Sequence, residues 1–107
     1  GEEEALMFLV ANVLIGIARA LEMALQLYIF VLIGRAIVSW VNADPRNAIV
    51  QFLVMATDPP LRIIRRLLPA SLRYFPLDIA FLVLFGIIIF AQYAVVQSLL
   101  DVALRLR

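Results

Sequence analysis

The residues best suited to chemistry in this chain are cationic. Arg62, Arg65 and Arg66 sit in the run DPPLRIIRRLLP, Asp58 to Pro69, which holds three of nine arginines and three of five prolines. At about 100° per residue these arginines fall within about 100° of one another. Leu61, Ile63, Ile64, Leu67 and Leu68 fill the rest of the wheel. One basic face and one oily face suit a helix lying flat at a bilayer surface, with its arginines among anionic lipid headgroups. Each such residue contributes about 1 kcal/mol. A plain topology signal accounts for the same residues, and both readings put the segment on the cytoplasmic side. Three arginines are few for nucleic acid, and the oily face would stay uncovered, so no nucleic-acid partner is expected.

The other ionisable residues lie in apolar surroundings. Asn12, Arg19, Glu22 and Gln26 fall within one quarter of a helix circumference. A narrow polar stripe on an oily helix faces protein, because polar groups facing lipid are costly. Alternatively Arg19 and Glu22, three apart, only pair with each other. Arg35 precedes Trp40 by five residues. An intramembrane arginine is a functional candidate, or it snorkels or pairs with an aspartate of the proline-rich segment. Tyr93, Gln97 and Asp101 repeat every four residues near the face of Gly86, a pattern that suits a packing seam. Counting depth from the two helix ends near 41 and 77 predicts that Arg19 meets Asp101, within the chain or across an oligomer contact, with Glu22 sharing Arg19. Asp44 and Asp58 each precede a proline, which predicts two helix N-caps.

The sequence contains no cysteine and no histidine. Disulfides and thiolate chemistry are excluded, and with histidine go the commonest metal ligand and acid–base catalyst. Haem binding through a histidine of this chain is likewise excluded. No nucleophile–base pair or metal-ligand cluster is readable. The expectation is a protein that is not an enzyme and uses no metal or cofactor.

Hydrophobic residues make up 65% of the 107, against about 45–50% in an average soluble domain. With a mean hydropathy of +1.05, this predicts an all-α integral membrane protein. The expected fold is two long transmembrane helices in a hairpin, joined by two short interfacial amphipathic helices in a proline-rich segment. The single domain, 1–107, divides into an N-terminal helix extension (1–22), a first crossing (23–41), an amphipathic connection (42–76) and a second crossing (77–104). The apolar run Ala5 to Val41 would be about 55 Å long as a helix, longer than the ~30 Å hydrocarbon core, so part of it must protrude or pack on a partner. Between Asp78 and Asp101 the chain is free of charge. The connecting helices are expected near 46–57 and 59–68. Five arginines in the connection place residues 43–76 in the cytoplasm and both termini outside. The first residues are acidic and no A-x-A site follows the first apolar run, so no cleavable signal peptide is expected.

Five short motifs follow in order: Arg35-x-x-x-Ser39-Trp40, Asp44-Pro45-x-Asn47, Ile49-Val50-x-Phe52-Leu53, Thr57-Asp58-Pro59-x-Leu61-Arg62, and Arg65-Arg66-x-Leu68-Pro69. Together they resemble the YggT family of small bacterial membrane proteins, also called YlmG, over roughly residues 20–100. The family pattern usually has proline where Ala48 and Ile63 stand, and glycines before the aspartate that matches Asp78. The resemblance implies a multi-pass protein of the bacterial cytoplasmic (inner) membrane with no defined reaction. Bacterial members are linked to envelope and division gene neighbourhoods and to osmotic or ion stress. Plastid relatives are linked to nucleoid organisation and to assembly of a b-type cytochrome. The interfacial basic helix, the polar stripe and the packing seam all suit partners, so the expected function is a non-catalytic membrane scaffold or assembly factor, working with the lipid bilayer and with a homo-oligomer or another membrane protein. The alternative is an oligomeric channel or transport subunit, since two crossings cannot enclose a pore alone.

Overall fold

Helix α1 runs from Glu2 to Trp40 without interruption, because no proline or turn signal falls within it. It stops where Asn42 takes a left-handed conformation, φ 53°. The Ala43 N–H then reaches back to the Val38 carbonyl at 3.0 Å. Asparagine tolerates this conformation better than other side chains, and the six-to-one bond satisfies a carbonyl that the helix end leaves open. Helix α2 spans Ala48–Leu67, the single turn α3 spans Ala70–Arg73 behind Pro69, and α4 spans Ile79–Leu106. The computed structural model describes residues 1–76 and 78–107, with Arg73 described by its backbone. Leu77, the expected first residue of the second crossing, lies outside the described residues.

α1 and α4 are the two helices long and apolar enough to cross a membrane. Only 11% and 17% of their most apolar windows are buried by the protein itself. The core helix of a soluble protein would be mostly buried, so these surfaces require an apolar solvent. The protein is an all-α membrane protein.

The connection differs from the two short helices expected. α2 is one helix of 20 residues that passes through Pro59 and Pro60. Asp58 therefore lies inside a helix and caps nothing. The N-cap of α2 is Asn47, whose side chain accepts from the Ile49 N–H at 2.8 Å. Asp44 instead accepts from the Arg46 N–H at 2.9 Å, closing a local turn before the helix. Prolines usually break a helix because each removes an N–H and crowds the carbonyl four residues back. Here tertiary contacts hold the segment helical, as described below.

The chain forms two compact units, Gly1–Leu27 with Ile89–Arg107, and Tyr28–Ile88. In the first, α1 and α4 pack through Ala11, Ala18, Val96 and Ala103, all essentially inaccessible. Small side chains at these positions let the two backbones approach closely. In the second, α2 joins the pair. Leu32 of α1, Leu61 of α2, and Ala80 and Leu84 of α4 form its core, with Tyr28, Ile64 and Phe85 packed around them. A Cβ placed on Gly34 would stand 3.2 Å from the Leu53 side chain, so the glycine admits α2 at the point of contact.

Candidate functional site

The polar contacts of the second unit centre on the middle of α2. Thr57 is fully buried. Its hydroxyl donates to the Leu53 carbonyl at 2.8 Å and accepts from an Arg35 Nη1–H at 2.9 Å. The same nitrogen stands 3.1 Å from Asp58 Oδ1. Of the openings given for Arg35 by the sequence, the structure takes the ion pair with an aspartate of the connecting segment. The side chains of Arg35 and Asp58 are 20% and 38% exposed, so the pair is shielded without being dry. No buried side-chain polar atom lacks a partner among the described residues.

A second contact answers the prolines. Pro60 has no N–H, so the carbonyl of Ala56 loses its usual helical donor. The Tyr28 hydroxyl donates to that carbonyl at 3.0 Å. α1 thus supplies the hydrogen bond that the proline removed. Arg35 and Tyr28 lie seven residues apart on α1, two turns, and therefore on one face. Together they hold the turn of α2 that leads into Pro59, at Ala56, Thr57 and Asp58.

The buried positions of α2 are Val50, Leu53, Thr57 and Leu61, which share one face at helical spacing. Ile49, Phe52 and Ile63 are large, apolar and exposed, and lie on a second face. Arg62, Arg65 and Arg66 are also exposed and occupy a third, about 60–160° from Val50 on the helical wheel. Arg65 Nη2 is 3.1 Å from Asp78 Oδ2, while Oδ1 of Asp78 accepts from the Phe81 N–H at 3.2 Å. Asp78 is therefore the aspartate that caps a helix, α4, whereas Asp44 and Asp58 were expected to cap the two short connecting helices and cap neither. An aspartate directly before an apolar run was the signal. An open cavity of about 260 Å³ lies beside these groups, lined by Arg35, Ser39, Trp40, Leu61, Asp78 and Phe81.

In the first unit Arg19 pairs with Glu22 at 3.5 Å, as one of the two readings had it. Gln92, which the sequence did not single out, donates to Gln26 at 2.8 Å and approaches the Glu22 carbonyl at 3.5 Å. Asp101 accepts from Gln97 at 3.0 Å. Among the described residues no ion pair joins Arg19 to Asp101 within the chain, so the direct contact expected is corrected. Nine residues separate Asp101 from Gln92, which turns it about 180° from the side that meets α1. Tyr93 and Gln97, about 100° and 140° from Gln92 on the wheel, are exposed as well. Gly86, in the second unit, is exposed, and a Cβ on it would meet nothing within 4 Å. The seam between α1 and α4 runs instead through Gln92, Val96 and Ala103.

Two lipid-facing helices with a third, amphipathic helix held on them by a tyrosine and an arginine define a small helical membrane protein. Residues 14–99 match the CCB3/YggT family model, and the chain belongs to that family. The clasp formed by Tyr28, Arg35, Thr57 and Asp58 lies wholly within the matched span. No curated protein and no solved structure matches the chain.

Proposed function

We propose that the protein is a non-catalytic scaffold of the bacterial cytoplasmic membrane, which holds α2 at the boundary between lipid and cytoplasm as a docking and headgroup-binding element. The observation that carries this reading is the three-sided character of α2: one face packed on α1 and α4, one exposed and apolar, one basic. A helix with that division is satisfied where protein, hydrocarbon and headgroups meet. The clasp supports the reading, because it fixes the rotation of α2 and so decides which residues face each medium. Arg62, Arg65 and Arg66 meet anionic headgroups in this proposal, with Arg65 also bound to Asp78.

Replacing Arg62, Arg65 and Arg66 with Gln tests the proposal. In neutral detergent the triple variant loses the exposed contacts these arginines make within the chain, the Arg65–Asp78 pair among them, each worth about 0–1 kcal/mol. Added anionic lipid stabilises the wild type, and the variant loses up to about 3 kcal/mol of that gain. An equal loss with and without anionic lipid refutes headgroup binding and leaves the segment a structural clasp. A transport subunit is the competing reading. Selective ion flux in liposomes that changes on Arg35→Ala would favour it over the scaffold.

A further inference from the structure

The first unit carries polar groups on the outside of an apolar helix pair. Arg19 and Glu22 are 61% and 43% exposed in their side chains. With Gln26, Gln92 and Tyr93 they line an open groove of about 520 Å³. Tyr93 also borders the adjoining groove that contains Gln97, and Gln97 holds Asp101. The result is a polar band that runs from the groove between α1 and α4 around α4, through Tyr93 and Gln97, to Asp101 on its outer side. Along α1 it is bracketed by exposed apolar residues, Val13 and Ile17 before it and Met23 and Leu27 within and beyond it. Polar and ionised groups in such surroundings are costly against lipid and settle against protein.

We infer that this band is the contact face of a twofold dimer, and that the occupant of the groove is a second copy of this chain. The charges argue for it. Gln26 lies opposite Gln92, so Arg19, seven residues earlier, lies opposite Leu99. Asp101 is two residues further, about 3 Å along the axis. Copies inserted in the same orientation are related by an axis along the membrane normal, and a twofold contact is self-complementary. Such an axis beside Tyr93 sets α1 of each copy against α4 of the other at equal depth. Arg19 of one copy then faces the Asp101 side of its partner, and the pair forms twice. Gln97 draws the Asp101 carboxylate toward the Tyr93 side, where the partner's α1 lies. The expected meeting of Arg19 and Asp101, absent within one chain, is thereby made between two. This inference is independent of the surface role of α2 and requires only that the first unit be surrounded by lipid.

The chain has no cysteine, so single cysteines report cleanly. Tyr93→Cys, close to the axis, forms a disulfide-linked dimer on oxidation in native membranes. Ile17→Cys, exposed but turned about 160° from Arg19 on the same helix, does not. Donor- and acceptor-labelled wild-type protein in vesicles gives energy transfer that falls on dilution into lipid. Arg19→Asp or Asp101→Arg weakens this association about tenfold or more, since a shielded charge pair couples by at least about 1.4 kcal/mol. The double exchange, Arg19→Asp with Asp101→Arg, restores it. Helical circular dichroism identifies variants that fail to insert, and the double exchange still decides the matter if a single one does. Equal crosslinking at positions 17 and 93 overturns the inference. So does energy transfer indifferent to the charge reversals, or a crosslinked product whose mass is that of a different partner.

Discussion

Tyr28→Phe removes one oxygen atom and leaves the ring in the core around Leu32 and Leu61. The lost atom is the donor to the Ala56 carbonyl, 3.0 Å away. Within α2 that carbonyl has no replacement, because the residue four positions on is Pro60. A neutral hydrogen bond contributes about 1 kcal/mol net, and a shielded acceptor left without a donor costs about 1–3 kcal/mol. The contact is only partly buried, so the lower half of that range applies and the expected loss is about 1–2 kcal/mol. The explanation makes the loss conditional on the proline. Pro60→Ala restores an N–H at the position where a helix supplies the Ala56 carbonyl with its own donor. In that background Tyr28→Phe costs about 0.5 kcal/mol or less, which gives a coupling near 1 kcal/mol. Reversible unfolding in mixed micelles, followed by circular dichroism for the four proteins of the cycle, measures it. Independent sites add to within about 0.3–0.5 kcal/mol. A coupling below that margin, with Tyr28→Phe equally harmful in both backgrounds, refutes the claim that α1 replaces the bond lost at the proline.

The same unfolding assay checks three further expectations. Removing one partner of the Arg35 clasp, as in Arg35→Met, destabilises by about 2–3 kcal/mol, at or below the lower end for buried pairs because Asp58 retains access to solvent; Asp58→Asn, which keeps an acceptor, costs less, and the reverse order would be incompatible with the contact described. Gly86→Ala and Gly16→Ala meet nothing within 4 Å and stabilise by up to about 1 kcal/mol through helix propensity, whereas Gly34→Leu drives into Leu53 and costs about 1–3 kcal/mol; a harmless Gly34→Leu would place the α1–α2 contact elsewhere. At the end of α1, Asn42→Gly is neutral or stabilising while Asn42→Val costs about 1–2 kcal/mol, because the left-handed backbone admits glycine and resists a branched side chain.

Composition alone was enough to decide the solvent of this protein. Its long apolar runs were readable because an uninterrupted run needs no tertiary partner to become a helix in lipid, where every backbone group must be satisfied within the segment. The end of α1 at Asn42 was legible for a local reason, the sequence Asn42-Ala43-Asp44-Pro45. Asp58-Pro59-Pro60 was legible only as chemistry and not as structure. Local rules make it a helix start, and the structure makes it a helix middle, because Arg35 binds Asp58 and Tyr28 supplies the donor that Pro60 lacks. Those two residues stand 23 and 32 positions earlier in the chain, and no local pattern couples them to it. Asp101 shows the same division. Its depth follows from counting residues along straight helices, which the sequence allows. Which way it points depends on the face of α4 that meets α1, and that was chosen by the small buried side chains of Ala11, Ala18 and Ala103 and by the bond from Gln92 to Gln26. A helix that is apolar nearly all round carries little record of which side is packed, so only the pairing of two helices decides it.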